Sequence, residues 1–350
     1  MEGYNKKVIM SYWTICRMKT TKKIYVKVSI IFLLGGILLF SSCEKEENQK
    51  IEANRKTLFM YLPWSSNLTN YFYNNISDLE KCITKIGLNN EKVIVFISTG
   101  STEAMMFEIV SSHGRCKREI LKKYKSPPFT TIDGITAILN DVKAFAPASV
   151  YTMIIGCHGM GWLPVYEMKV RSAPHMKMHW EYQGVPLTRY FGGLTAEYQT
   201  DIKSLASGIA NAGMKMEYIL FDDCYMSSIE VAYELKDVTK YLIGSTSEMM
   251  AYGMPYAAIG EYLLGNPDYQ SGCEEFYNFY STYEIMPCGT LAVTDCSELE
   301  NMAAIIKSIN SKYSFDKSLR GTIQRLDGYT PVIFYDFADY IPHSVTILYY

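Results

Sequence analysis

The chain is short of the features that mark nucleic-acid-binding proteins. It has no long basic stretch in its body, no low-complexity tract and no internal repeat, and its net charge is −2. These absences argue against nucleic acid as the main partner. What is present is an apolar chain: 48% of the 350 residues are hydrophobic. That is enough for one large domain or two small ones.

Spaced cysteine pairs are missing as well, and no CxxC occurs. Nine cysteines are present, and setting aside Cys16 and Cys43 leaves seven. In an exported protein an odd number leaves at least one thiol unpaired or reactive. A zinc site is a poor alternative, because adjacent residues rarely both point into one tetrahedral site. We therefore expect no metal at the one place where candidate ligands gather, which is Cys157, His158, Asp223 and Cys224.

The N-terminus has the parts of a signal peptide. A basic region opens at Met18, a mostly apolar stretch covers 28–40, and two serines precede Cys43. The apolar stretch is shorter than the ~20 residues that span a bilayer, and the layout is that of a secretory signal. We predict a bacterial lipoprotein that starts at Met18 and is lipidated at Cys43. An uncleaved signal anchor is the alternative.

Both alternatives place the body of the protein outside the cytoplasm. The predicted location is the cell envelope, with a lipid anchor in a bacterial membrane and the body in the periplasm or on the surface. Residues 1–43 are upstream sequence plus signal peptide, 44–56 a charged, flexible tether, and 57–350 one domain. The chain stops abruptly in apolar residues. We expect either that the natural chain continues beyond Tyr350 or that its C-terminus is altered, which would leave the domain incomplete there.

Apolar runs alternate with amphipathic segments along the body. Short runs rich in β-branched and aromatic residues predict strands at 57–62, 93–98, 216–221, 241–246 and 289–294, with another leading to His158. A hairpin is expected at 106–110 and 118–124. Helical spacing predicts helices at 67–86, 131–145, 201–212, 228–235, 269–283 and 299–312. This order predicts an α/β fold, an α/β/α sandwich around a mostly parallel sheet.

Two of the predicted strands lead to residues that can do covalent chemistry. One run reaches His158, which is followed by Gly159 and Gly161; the other reaches Cys224. Ligands bind beyond the carboxyl ends of parallel strands, where a cysteine and a histidine can form a nucleophile and base pair. The alternatives are a buried core histidine before a turn, and a cysteine that only packs.

Two acids precede the cysteine. Asp222 and Asp223 follow an apolar run and are costly to bury, so we expect them at the edge of the sheet. Like charge opposes formation of a Cys224 thiolate, whereas a neighbouring His158 promotes it. The acids therefore need another role, such as recognition of a basic substrate side chain.

These motifs resemble the clostripain family of cysteine peptidases, in the caspase-like clan. The similarity rests on His158-Gly-Met-Gly-Trp162 and on Asp222-Asp-Cys224-Tyr-Met226, in this order and about 65 residues apart. It extends over residues 57–310, and it implies the caspase-like form of the predicted sandwich.

The resemblance implies a cysteine endopeptidase with a dyad of Cys224 and His158. Gly159 and Cys224 would supply the main-chain N–H groups of the oxyanion hole, and Asp222 would help to form a pocket for P1 Arg or Lys. The expected second pocket acid has one candidate, Glu248, in a segment that is otherwise unusually apolar. The expected partners are protein or peptide substrates.

The family also implies processing and a cation. Several members cleave themselves between the catalytic residues, and Lys169 or Arg171 is the candidate site here; solvated loop charge is the alternative. No cofactor is expected. Calcium dependence occurs in the family, but the chain has no dense acidic loop in which to place a site.

Two other functions share these residues. A thioester at Cys224 can be captured by an amine, which gives a transpeptidase or ligase. A catalytically silent surface lipoprotein that binds glycan or protein is the other alternative, and the presence of both His158 and Cys224 argues against it.

Overall fold

The computed structural model describes residues 54–163, 165, 191–285, 287–328 and 332–345. Eight strands form one sheet in the order β4-β3-β2-β1-β5-β6-β7-β8. The strands are β1 (Asn54–Leu62), β2 (Glu91–Ser98), β3 (Glu103–Ser112), β4 (Arg115–Lys125), β5 (Ala148–Ile155), β6 (Met216–Phe221), β7 (Thr239–Gly244) and β8 (Ala292–Asp295). The five central strands, β2, β1, β5, β6 and β7, are parallel, and the pairings β2–β3, β3–β4 and β7–β8 are antiparallel. The predicted mostly parallel sheet and its hairpin are confirmed.

Helices cover both faces of the sheet, as the alternating pattern predicts. They are α1 (Thr69–Ile86), α2 (Ile132–Phe145), α3 (Ile202–Asn211), α4 (Ile229–Leu235), α5 (Tyr256–Leu263), α6 (Tyr269–Ser281), α7 (Leu299–Lys312) and α8 (Phe337–Val345). One core layer joins the sheet to α1, α5 and α6, and the other joins it to α2, α3 and α4. The predicted α/β/α sandwich is therefore confirmed.

The central strands are buried on both sides, which explains their continuous apolar runs. In β1, Leu58 and Met60 belong to one core layer, whereas Phe59 and Tyr61 belong to the other. Alternate side chains of a strand point to opposite faces, so a strand covered on both faces has no polar side.

The bounds of several elements differ from the predictions, and two helices were not predicted. β1 begins at Asn54, inside the tether predicted for 44–56, because Lys56 is buried and donates to Leu263 O at 2.6 Å. Helices α5 and α8 were not predicted, since both are short and the sequence of α5 shows no clear helical period. Residues 54–56, which were predicted as tether, are therefore the first residues of β1.

Several predicted features lie outside the described residues. These are the start at Met18, the lipidation site Cys43, and the processing candidates Lys169 and Arg171. Within the part of the chain that is described, no helix is long and apolar enough to cross a membrane.

Candidate active site

The carboxyl ends of β5 and β6 lie side by side at one edge of the sheet. The two strands pair in parallel through Ile155 and Phe221, and Asp222 N donates to Ile155 O at 2.8 Å. His158 and Cys224 each stand three residues beyond this pair. The structure thus brings both predicted residues to the same edge, because neighbouring parallel strands end together.

Gly159 packs directly on the main chain of the nucleophile candidate. A Cβ built on Gly159 would lie 2.4 Å from Cys224 O and 2.9 Å from Asp223 Cβ. Any other residue would force the two strand ends apart. The glycine after His158 is therefore a condition for the close approach of the two segments, and not simply part of a turn.

His158 is almost fully buried and is held from two sides. Its side chain is 2% exposed, and its Nε2–H donates to Asn67 Oδ1 at 2.7 Å. Its main-chain N donates to Gly192 O at 3.1 Å. Asn67 lies in the loop between β1 and α1, and it was not predicted as a site residue. No local sequence signal marks it, because the histidine that it contacts is 91 positions away.

Cys224 is held by the main chain of the segment that follows β7. Its Sγ accepts a hydrogen bond from Met249 N at 3.1 Å, and its S–H donates to Met249 O at 3.6 Å. The residue is 1% exposed. A main-chain N–H stabilises a thiolate and a carbonyl stabilises a thiol, so these two contacts fix the position of the sulfur without selecting its protonation state.

The two acids lie at the predicted edge, but both are buried. Asp222 accepts from Met254 N at 2.8 Å and from the Tyr256 hydroxyl at 3.0 Å. Asp223 accepts from Cys157 N at 2.6 Å. Buried carboxylates are tolerated when hydrogen-bond donors surround them. The two neighbours therefore brace different segments: Asp222 fixes the start of α5, and Asp223 ties β6 to the end of β5.

The residue after Cys224 has a strained backbone. Tyr225 has a φ of +59°, a region that costs a non-glycine residue about 1 kcal/mol or more. Its ring stacks on Phe334, with 4.4 Å between the ring centroids and 4° between the planes. Phe334 also contacts the neighbourhood of Gly161. The polypeptide ahead of α8 thus packs against both strand ends.

Three other thiols of the fold are poor nucleophiles. Burial raises the pKa of Cys82, of Cys273 and of Cys296 from an ordinary value of 9.0 to about 11. Such thiols are protonated near neutral pH and so react slowly. Cys224 differs from them in its place, because it lies at the edge of the sheet beside the segment of His158 and Gly159, and this favours it as the reactive cysteine. Among the described residues, no three His, Cys, Asp or Glu side chains are placed to hold a metal ion.

The model of the clostripain family matches residues 60–345, so the chain belongs to the clostripain family. It is a cysteine-type peptidase with the caspase-like fold, as predicted. A secreted C11 cysteine protease of Bacteroides thetaiotaomicron, iotapain, is 60% identical with a TM-score of 0.76, over 83% of this chain and 80% of that one.

Two more distant structures share the fold. An inactive zymogen C11 protease of Parabacteroides distasonis is 24% identical, with a TM-score of 0.68 over 83% of this chain and 77% of its own. A secreted C11 protease of B. thetaiotaomicron, solved with an irreversible peptide inhibitor, is 20% identical, with a TM-score of 0.62 over 78% and 73%. No curated protein sequence matches the chain.

Proposed function

We propose that the chain is an exported lipoprotein endopeptidase that works through a dyad of Cys224 and His158 and cleaves after Lys or Arg. The observation that carries the dyad is the packing of Gly159 on the main chain of Cys224, which joins the two strand ends. The family supplies the reaction class.

The proposed chemical steps use these groups in the following order. His158 takes the Cys224 proton, and the thiolate attacks the scissile carbonyl carbon. The oxyanion forms against the N–H groups of Gly159 and Cys224. The C–N bond then breaks as His158 returns its proton to the leaving amine. Water attacks the thioester, the acyl group leaves as a carboxylic acid, and the thiol is regenerated.

Basic specificity rests on the buried negative charge of Asp222. The carboxylate is not exposed in this structure, so we propose that it acts in two ways. It fixes Met254 and Tyr256, which would line the P1 pocket, and it supplies a negative potential behind them. Glu248, next to Met249 and half-buried, is the candidate for a second pocket acid.

Burial of both dyad residues indicates that the described conformation is closed to substrate. His158 is 2% exposed and Cys224 is 1% exposed. We propose that cleavage at Lys169 or Arg171 opens the site. Mass spectrometry of the active protein tests this: an intact, fully active chain with no cut at either residue would remove the idea.

Export rests on the signal-peptide layout and on the similarity to a protease described as secreted. Lipidation at Cys43 is tested by Cys43→Ser, which we expect to move the protein from the membrane fraction to the soluble fraction. An unchanged distribution would leave a signal anchor as the better explanation.

The decisive experiment compares the full chain with Cys224→Ala on fluorogenic peptides that differ only at P1. We expect cleavage after Lys or Arg that is lost in the variant. Cleavage with another P1 preference would keep the mechanism and overturn the proposed basic pocket.

An amine added as acceptor distinguishes acyl transfer from hydrolysis, since a ligase would form the amide product in place of the acid. If no peptide is cleaved, even after trypsin nicking and with calcium, the silent binding protein becomes the better hypothesis.

A further inference from the structure

We propose that Asn67 is a positioning residue for His158, which it holds so that Nδ1 is the nitrogen that exchanges protons with Cys224 and the leaving amine. The proposal deepens the proposed function and rests on it. Its starting point is the hydrogen bond of 2.7 Å between His158 Nε2 and Asn67 Oδ1.

The hydrogen bond decides which ring nitrogen carries the proton. An amide oxygen only accepts, so Nε2 must be the N–H donor when the imidazole is neutral. Nδ1 is then the basic nitrogen, and it has almost no solvent-exposed surface. When the ring becomes an imidazolium, Asn67 Oδ1 still accepts from Nε2. The contact therefore fixes the orientation of the ring in both protonation states.

The side chain of Asn67 does not cap helix α1. Asparagine is a common N-cap residue, but Asn67 lies one position before the N-cap. Here the N-cap of α1 is Leu68, and no side-chain hydrogen bond caps that end. The side-chain oxygen of Asn67 therefore has no capping role at this helix end, and it contacts His158.

A strained turn places Asn67 next to His158. Asn67 N donates to Ser65 O at 2.9 Å, and Ser66 between them has a φ of +70°. A three-residue turn with a positive φ at its centre is rare and strained. Strain of this kind persists where surrounding structure enforces it, and it clusters at functional sites.

The same turn is tied to the segment that holds the main chain of His158. Ser66 Oγ accepts from Leu194 N at 3.4 Å, two residues after the Gly192 carbonyl that accepts from His158 N. The ring and the backbone of His158 are therefore braced by one connected set of contacts. Ionisable groups packed against Gly159, the next residue, are Asp223 and Cys224; Asn67 itself carries no charge.

The test uses three variants of the full chain: Asn67→Ala, Asn67→Asp and the control Asn70→Ala. Asn70 is an exposed asparagine in the first turn of α1. We expect Asn67→Ala to lower kcat by about 10- to 100-fold with KM changed less than about threefold, because the ring loses its orientation. Asn70→Ala should match the wild type.

Asn67→Asp separates positioning from a merely structural role. A carboxylate at this place favours the protonated ring, so the basic limb of the pH–rate profile should move up by about one pH unit, with kcat largely restored. If Asn67→Ala does not fold, the pH–rate profile of the nearly isosteric Asn67→Asp still tests the positioning role. A kcat within about twofold of wild type in Asn67→Ala, or an unmoved limb in Asn67→Asp, would overturn the proposal.

A second readout does not need turnover. Alkylation of Cys224 by iodoacetamide, followed by mass spectrometry of its peptide, reports the thiolate that His158 stabilises. We expect Asn67→Ala to slow it about tenfold near neutral pH. If the wild type cleaves no peptide, the proposed function fails while this rate still tests Asn67. An unchanged alkylation rate in Asn67→Ala and an unchanged pH profile in Asn67→Asp would overturn the positioning role even if the protein is an active peptidase.

Discussion

The two strand ends that form the site are held in different ways. At the end of β5, His158 is fixed by a side chain from another loop, Asn67. At the end of β6, the sulfur of Cys224 is fixed by the main chain of Met249. Both residues are almost fully buried. A side-chain contact can be removed by one substitution, whereas a main-chain contact survives most of them.

The neighbouring acids show the same division. Asp222 holds Met254 and Tyr256 on the side that would meet substrate, while Asp223 holds the β5 end through Cys157 N. Two adjacent carboxylates of similar burial therefore have different tasks. Substitution of Asp222 should change the P1 preference, and substitution of Asp223 should lower the stability of the sheet edge.

The largest expected effect is at the β5 end. His158→Ala should lower kcat by about 10³-fold or more, because the proton transfers lose their carrier. Cys157→Ala is the matched control at the adjacent buried position, and it keeps the N–H that Asp223 accepts. We expect it to retain kcat within about threefold. Steady-state kinetics on the best P1 peptide measure both, and equal losses would mean that the β5 end acts only as packing.

Substitution of the substrate-side acid should have the next effect. Asp222→Asn removes the charge and keeps the shape, so kcat/KM for P1 Lys or Arg should fall about 10- to 100-fold, the value of one charge-assisted interaction. Cleavage of a peptide with an uncharged P1 should change much less. A parallel fall for charged and uncharged P1 would show that Asp222 only supports the fold.

Much of this architecture follows from the sequence, and the rest does not for a physical reason. Strands that are buried on both faces are continuous apolar runs, so β5, β6 and the residues at their ends could be predicted. Asn67 could not, because it contacts a histidine 91 positions away and no local pattern encodes such a pair. The burial of Asp222 was hidden likewise, since its donors lie 32 and 34 positions further on.

Asp223→Asn should mainly lower stability. The amide can still accept from Cys157 N, but it loses the charge that strengthens this bond. We expect the free energy of unfolding to fall by about 1–3 kcal/mol, with the P1 preference unchanged. Urea unfolding of the full chain measures the first, and the P1 panel measures the second. A changed P1 preference with unchanged stability would reverse the tasks assigned to the two acids.

The smallest effect is expected at the end of β6, where a main-chain N–H holds the sulfur of Cys224. Met249→Leu keeps the N–H that donates to Cys224 Sγ, and it replaces one buried apolar side chain by another of similar volume. kcat should therefore stay within about twofold of wild type. Asn67→Ala is the comparison at the other strand end, because there the same size of change removes the contact itself. If Met249→Leu costs as much as Asn67→Ala, the Met249 side chain must hold the sulfur through its packing. The distinction between a side-chain-held histidine and a main-chain-held cysteine would then fail.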